Sequence, residues 1–148
     1  MKFSRADSSA IEQAVSLLKQ RGFGLKGKKC LVIGNGEYGR LAAVTLREQG
    51  ADVLMTVRQY HHGLVHVPEG CQRVDYESRY EYLAYVDLAV SATSSPHCTI
   101  HREENEGKVE WFLKEYPEFE LVKDKQMIPG KDTGDGFYIA IIKRVNHE

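Results

Sequence analysis

"CLVIGNGEYGRLAA", residues 30 to 43, joins an apolar run to glycines at the spacing GxGxxG and then to the start of an amphipathic segment. "KKCLVIG", residues 28 to 34, is bounded by charge and glycine, the pattern of a strand buried on both faces. Glu37 to Gln49 predicts a helix with Leu41, Ala42 and Leu46 turned inward, and Gly50 stands where a C-terminal cap belongs. Strand, glycine turn and helix in that order open a parallel β-α-β unit. Each glycine has its own mechanical task. Gly34 allows a tight turn, Gly36 lets backbone approach a pyrophosphate, and Gly39 lets helix and strand pack closely. The helix N-terminus then offers unpaired N–H groups and partial positive charge to phosphates. A turn without a ligand is the alternative; a strand before and a helix after favour the dinucleotide.

Upstream, Ser9-Ala10-Ile11-Glu12 has capping-box spacing, and Ile11, Ala14, Val15 and Leu18 share one helical face. The first helix therefore runs from Ser9 to about Gln20, with Gly22 and Gly24 ending it. Downstream, "DVLMTV" (52–57) is the second strand, Arg58 to Gly70 a polar loop, and "QRVDY" (72–76) a short third strand. Glu77 to Ala84 reads as a short helix, "VDLAVSA" (86–92) as the fourth strand, and "TSSPH" (93–97) as a loop. This order calls for a parallel sheet with right-handed crossovers.

After Pro96 the texture changes. Glu103 to Glu115 predicts a charged helix with Val109, Phe112 and Leu113 inward, stopped by Pro117. "EFELV" (118–122) is a strand, "KDKQMIPGKDTGDG" (123–136) a long turn region, and "FYIAIIKR" (137–144) a strongly apolar strand. A hairpin makes that last strand antiparallel to its predecessor. Its apolar residues on both faces place it inside the sheet, between the fourth and fifth strands. The fold expected is a three-layer α/β Rossmann-like sheet, mainly parallel, of order 3-2-1-4-6-5 with the last strand antiparallel.

A chain of 148 residues, 42% hydrophobic and 28% charged, is the size and composition of one globular domain with one core. The net charge of −1 argues against nucleic-acid or membrane binding driven by bulk electrostatics. No apolar run approaches the ~20 residues that span a bilayer, and "MKFSRADSSA" lacks a signal-peptide core. Cys30, Cys71 and Cys98 are unpatterned, which points to reduced thiols in a cytoplasm. His61, His62, His66 and Cys71 match no compact zinc spacing, so no metal is expected. Cys30 reads as an inert strand residue. Cys98 and His97, adjacent on an extended segment, point apart. Tyr76, Tyr80, Tyr82 and Tyr85 read as packing, and Trp111 as a partial core or partner contact.

Cofactor choice is read after the second strand. Thr56-Val57-Arg58-Gln59 holds no carboxylate to accept hydrogen bonds from ribose hydroxyls. An arginine there suits a 2′-phosphate through charge-assisted, often bidentate contacts. NADP(H) is favoured over NAD(H), and adenosylmethionine is disfavoured.

Residues from about Ser8 to His97 resemble the NADPH-binding domain of glutamyl-tRNA reductases, through "LKGKKCLVIGNGEYGRLAA", "MTVRQY" and "VDLAVSATSSPH". The resemblance implies that Gly34, Asn35, Gly36, Glu37, Tyr38 and Gly39 line a pyrophosphate. It sets Arg58 and Gln59 against the 2′-phosphate, and Ser91, Ala92 and Thr93 near the nicotinamide ribose. That family's nucleophilic cysteine and long dimerisation helix belong to other domains, and no cysteine here sits in the nucleophile motif. Catalysis by this chain alone is therefore not expected.

Residues from about Cys98 to Arg144 resemble instead the C-terminal end of RNA cytosine-5 methyltransferases, through "CTIHREENEGKVEWFLKEYPEFELV" and "IPGKDTGDGFYIAIIKR". His97 stands where that family has threonine, and its adenosylmethionine loop and Pro-Cys motif have no counterpart. The two resemblances imply a single Rossmann-like domain over 1–148 built as a chimera, engineered or selected, with a joint near Pro96 to Thr99. A natural, divergent reductase domain is the alternative. A recombined scaffold with no ligand and a methyltransferase-like domain are the competing functions.

Overall fold

Ile11, Ala14, Val15 and Leu18 recur at helical spacing, and all four are buried in α1 (Ser9–Gln20). The computed structural model describes residues 9–34, 37–57, 68–95, 110–127 and 136–145. α1 ends with the Phe23 N–H donating to the Leu18 carbonyl (2.9 Å) and the Gly22 N–H donating to Lys19 (3.0 Å). β1 (Lys29–Ile33) leads through the glycine turn to α2 (Glu37–Glu48), which ends in the same motif. There the Ala51 N–H donates to Leu46 (3.2 Å) and the Gly50 N–H to Arg47 (2.9 Å), with Gly50 at φ +91°. β2 (Asp52–Val57), β3 (Gln72–Asp75), a 3-10 turn (Tyr76–Ser78), α3 (Arg79–Tyr82) and β4 (Leu88–Ser95) follow. Residues 110–115 are helical, and β5 (Phe119–Met127) and β6 (Gly136–Arg144) complete the order.

The six strands form one sheet of order β3-β2-β1-β4-β6-β5. β2–β3, β1–β2 and β1–β4 pair parallel, while β6 runs antiparallel to both β4 and β5. This is the expected topology, including the insertion of the final strand. Two cores explain it. On the α1 and α2 side, Leu18, Leu46, Met55, Val90, Ile139 and Ile141 pack together. On the other, Leu31, Val74, Leu83, Phe119 and Ile142 pack with Phe112, Leu113 and Tyr116. β6 thus feeds both cores, which is why its side chains are apolar on both faces.

Three boundaries differ from expectation. β4 runs on to Ser95 instead of stopping at Ala92, because Thr93, Ser94 and Ser95 pair with Tyr138, Phe137 and Gly136. β5 extends through Met127, taking residues expected in the turn, with an irregularity in its pairing between Leu121 and Lys123. The helix expected over Glu77 to Ala84 is instead the 3-10 turn and the short α3; neither start carries a side-chain cap. Val109 and the start of the charged helix lie outside the described residues. Tyr80 stacks on Tyr116 (6.2 Å between centroids) and meets Trp111 edge-on (6.4 Å), yet Tyr80, Trp111 and Tyr85 are all exposed.

Candidate functional site

From β1 the chain moves outward to β2 and β3, then returns to the other side of β1 as β4. This reversal opens a crevice beyond the carboxyl ends of β1 and β4, where open α/β sheets take their ligands. Gly34 sits at its floor, directly after β1, with φ +112°. A Cβ at Gly34 would collide with the carbonyl oxygen of Ala92 in β4. A Cβ at Gly39 would collide with the carbonyl oxygen of Gly34 and lie 2.9 Å from its carbon. Neither position tolerates a side chain. Gly34 is therefore held against β4 on one side and against the first turn of α2 on the other.

A third contact fixes the turn. The Gly34 N–H donates to Thr56 Oγ1 at 3.0 Å, and Thr56, near the end of β2, is fully buried. Thr56 is the residue that sequence reading overlooked. It drew notice as part of a segment without a carboxylate, and only pairing across the sheet reveals its partner. Thr56→Val keeps the shape but leaves the Gly34 N–H without an acceptor. A loss of ~1–3 kcal/mol in unfolding free energy is expected, with Thr56→Ser close to the parent. Chemical denaturation of the three proteins checks this.

Of the residues expected to form the site, the structure brings Gly34, Gly39 and Ala92 together. Glu37 and Tyr38 lie in the first turn of α2. Ser91, half-buried, pairs with Ile33 of β1 and Ala140 of β6, and Thr93 pairs with Tyr138. Asn35, Gly36, Arg58 and Gln59 lie outside the described residues, as do His61, His62, His66 and Cys98. Cys30 is buried in β1; burial first, then Asp87 and Asp52, pushes its thiol up to about 12, so it stays protonated and inert. Burial also raises Cys71, opposed by the nearby Arg47. Among the described residues, no cluster of His, Cys, Asp or Glu could hold a metal ion, and no helix is long and apolar enough to cross a membrane.

Comparison with known proteins places this geometry. The chain is 42% identical over 100 residues to the probable multifunctional siroheme biosynthesis protein HemA of Ruminiclostridium josui, covering 68% of this chain and 19% of that protein. It is 41% identical over 100 residues to the glutamyl-tRNA reductase of Acetivibrio thermocellus, covering 68% and 29%. The glutamyl-tRNA reductase of Alkaliphilus oremlandii is 35% identical over 118 residues, covering 80% and 35%. The chain thus spans between 19% and 35% of the length of these relatives. Among solved structures, a putative O-methyltransferase from Klebsiella pneumoniae aligns with a TM-score of 0.49 at 14% identity, over 97% of this chain and 83% of that one. The profile of the shikimate/quinate 5-dehydrogenase family matches residues 16–113, from within α1 through the glycine turn and β4. Covering more than half of the chain and every strand end that meets at Gly34, that match shows that this protein belongs to the shikimate/quinate 5-dehydrogenase family.

Proposed function

We propose that this chain binds NADP(H), as the nucleotide-binding part of a protein like glutamyl-tRNA reductase. One observation carries the reading. At the sheet's reversal point, Gly34 is pressed against Ala92 of β4 and against Gly39 in the first turn of α2, the close strand-to-helix approach that glycines give a pyrophosphate-binding unit. In this reading Asn35, Gly36, Glu37 and Tyr38 line the pyrophosphate at the start of α2. Arg58 and Gln59, just past the end of β2, face the 2′-phosphate. Ser91, Ala92 and Thr93, at the carboxyl end of β4, border the nicotinamide ribose. The cofactor supplies a hydride when bound; the chain's own residues hold and orient it.

The reduction of a charged-tRNA thioester is not assigned to these residues alone. The single-domain arrangement over 1–148 is part of the proposal. So is a change of parentage toward a methyltransferase-like end. In this reading the joint lies near Pro96 to Thr99.

The test is a titration of NADPH and NADH against the parent and Arg58→Ala. NADPH should bind more tightly than NADH, and Arg58→Ala should remove most of the preference. A charge-assisted contact is worth ~1.5–3 kcal/mol, or roughly tenfold to a hundredfold. Equal affinities in the parent would reject the role of Arg58. No binding of either nucleotide would reject the function and leave a scaffold without a ligand.

A further inference from the structure

Five of the chain's 20 basic residues fall within the eleven positions from Lys19 to Lys29, "KQRGFGLKGKK", which hold no acidic residue. Lys19 is in the last turn of α1, where a cation complements the helix dipole. Arg21, Lys26, Lys28 and Lys29 lie beyond that helix. Their segment is not a loose solvated turn. The Gly27 N–H donates to the Gly50 carbonyl and the Lys28 N–H to that of Leu25, both at 2.9 Å. The carbonyls of Lys28 and Lys29 accept from the N–H groups of Asp52 and Asp87, both at 2.8 Å. The backbone is thereby tied down along the amino ends of the strands, and its charges hold fixed positions.

The fold adds a cation from the far end of the chain. β6 runs antiparallel to β4, so the pair Leu88↔Lys143 sets its carboxyl end beside the amino ends of β4 and β1. There Lys28 Nζ and Lys143 Nζ lie 5.2 and 5.4 Å from the centre of the Phe23 ring. Phe23 itself packs on the core of the α1 and α2 side. Lys143 Nζ and Arg21 Nη1 converge on one oxygen, Glu120 Oε2, at 3.4 and 3.7 Å. Arg21, Lys28 and Lys143 thus gather at one ring and one carboxylate, which leaves positive charge in excess. Gly22, Gly24 and Gly27 stand between the cations, and a Cβ on any of them would meet nothing within 4 Å. Gly22 and Gly27 have positive φ, but Gly24 does not. Neither conformation nor internal fit demands glycine at Gly24, and its bare backbone leaves room for another main chain to come close.

We propose that this face, at the opposite end of the sheet from the crevice, docks an acidic segment of a partner protein. Charge complementarity selects the occupant: fixed, closely set cations on an open surface favour a chain of carboxylates. Two features favour carboxylates over nucleic-acid phosphates. Phe23 is half-buried and already covered by two ammonium groups, so it offers bases no platform for stacking. Arg21 and Lys143 already share a carboxylate oxygen, that of Glu120. A partner's Asp and Glu side chains would pair with Lys26 and Lys28, and its main chain would pass over Gly24. The surface is separate from the crevice and stands whether or not the NADP(H) reading does.

Fluorescence anisotropy of labelled decaglutamate titrated with the full chain tests it, with labelled decauridylate as the competing polyanion. Decaglutamate should bind more tightly than decauridylate, with an affinity that falls as salt is added. Lys28→Glu should weaken binding about tenfold. Lys114→Glu makes the same change of net charge on the helix whose Phe112 and Leu113 pack on the other side of the sheet. It should leave the affinity within about twofold. Gly24→Ala keeps every charge and should weaken binding about threefold, a readout that holds even if Lys28→Glu fails to fold. The docking site is overturned by no binding of decaglutamate, by tighter binding of decauridylate, by equal losses in Lys28→Glu and Lys114→Glu, or by an unchanged affinity in Gly24→Ala.

Discussion

A chain ending after Lys125 is expected to be aggregated or molten, with no cooperative thermal transition. It lacks β6, whose Ile139, Ala140, Ile141 and Ile142 are all buried. Burial of each isoleucine is worth ~1.5–3 kcal/mol, so three of them approach the ~5–15 kcal/mol that holds an ordinary domain together. The truncated chain also loses Arg144, whose guanidinium donates to the carbonyls of Val86 (2.9 Å) and Leu83 and lies 4.7 Å from the centre of the Phe119 ring. The outer edge of β4 is left as a row of unpaired backbone groups beside an apolar surface, a template for association. Thermal melting by circular dichroism with size-exclusion chromatography checks this. A sharp transition in a monomeric species would mean that the first four strands carry the fold alone.

Gly39→Ala is expected to cost ~3 kcal/mol or more, and Gly39→Val little beyond that. The reason is that the first carbon added is already the one that collides with the Gly34 carbonyl. That carbonyl is backbone and cannot swing aside as a flexible side chain would. Either α2 lifts off β1 and uncovers Ala42, Ala43 and Leu46, or the turn opens and the Gly34 N–H leaves Thr56. NADPH binding should fall with either response. Gly24→Ala serves as the control: nothing lies within 4 Å of a Cβ there, and a change within about 0.5 kcal/mol is expected. Denaturation midpoints for the three variants decide it. A Gly39→Ala midpoint equal to the parent's would show that helix and strand do not meet this closely.

What could be read in the sequence was whatever burial imprints on a pattern. "CLVI" and "DVLMTV" appear as strands because they feed cores, and "FYIAII" is an interior strand because Ile139 and Ile141 feed one core while Ile142 feeds the other. The ends of β4 and β5 leave no such imprint. Ser94 and Ser95 are polar, and "KDKQM" is charged, yet all are strand because β6 offers them backbone partners. Hydrogen-bonded pairing of main chain to main chain is nearly silent in side-chain chemistry. The site divides the same way. Gly34 and Gly39 were legible because sterics demand glycine. Thr56 was not, since its role depends on a partner 22 positions away, across the sheet. The histidines and Cys98 drew attention only by residue type.

The placement of β6 also has a consequence in time. Chains emerge from the ribosome amino end first, and here, of the six described strands, the one latest in the chain fills the gap between β4 and β5. While β3, β2, β1 and β4 can assemble as they appear, β5 sits at the sheet's edge with β6 as its neighbour and has nothing to pair with until Gly136–Arg144 is released. Closure therefore depends on contacts far apart in the chain, which are slow to form and leave apolar surface uncovered meanwhile. The nascent chain passes through a stage with four strands joined and one waiting, and its exposure to chaperones and to other nascent chains is concentrated in that interval.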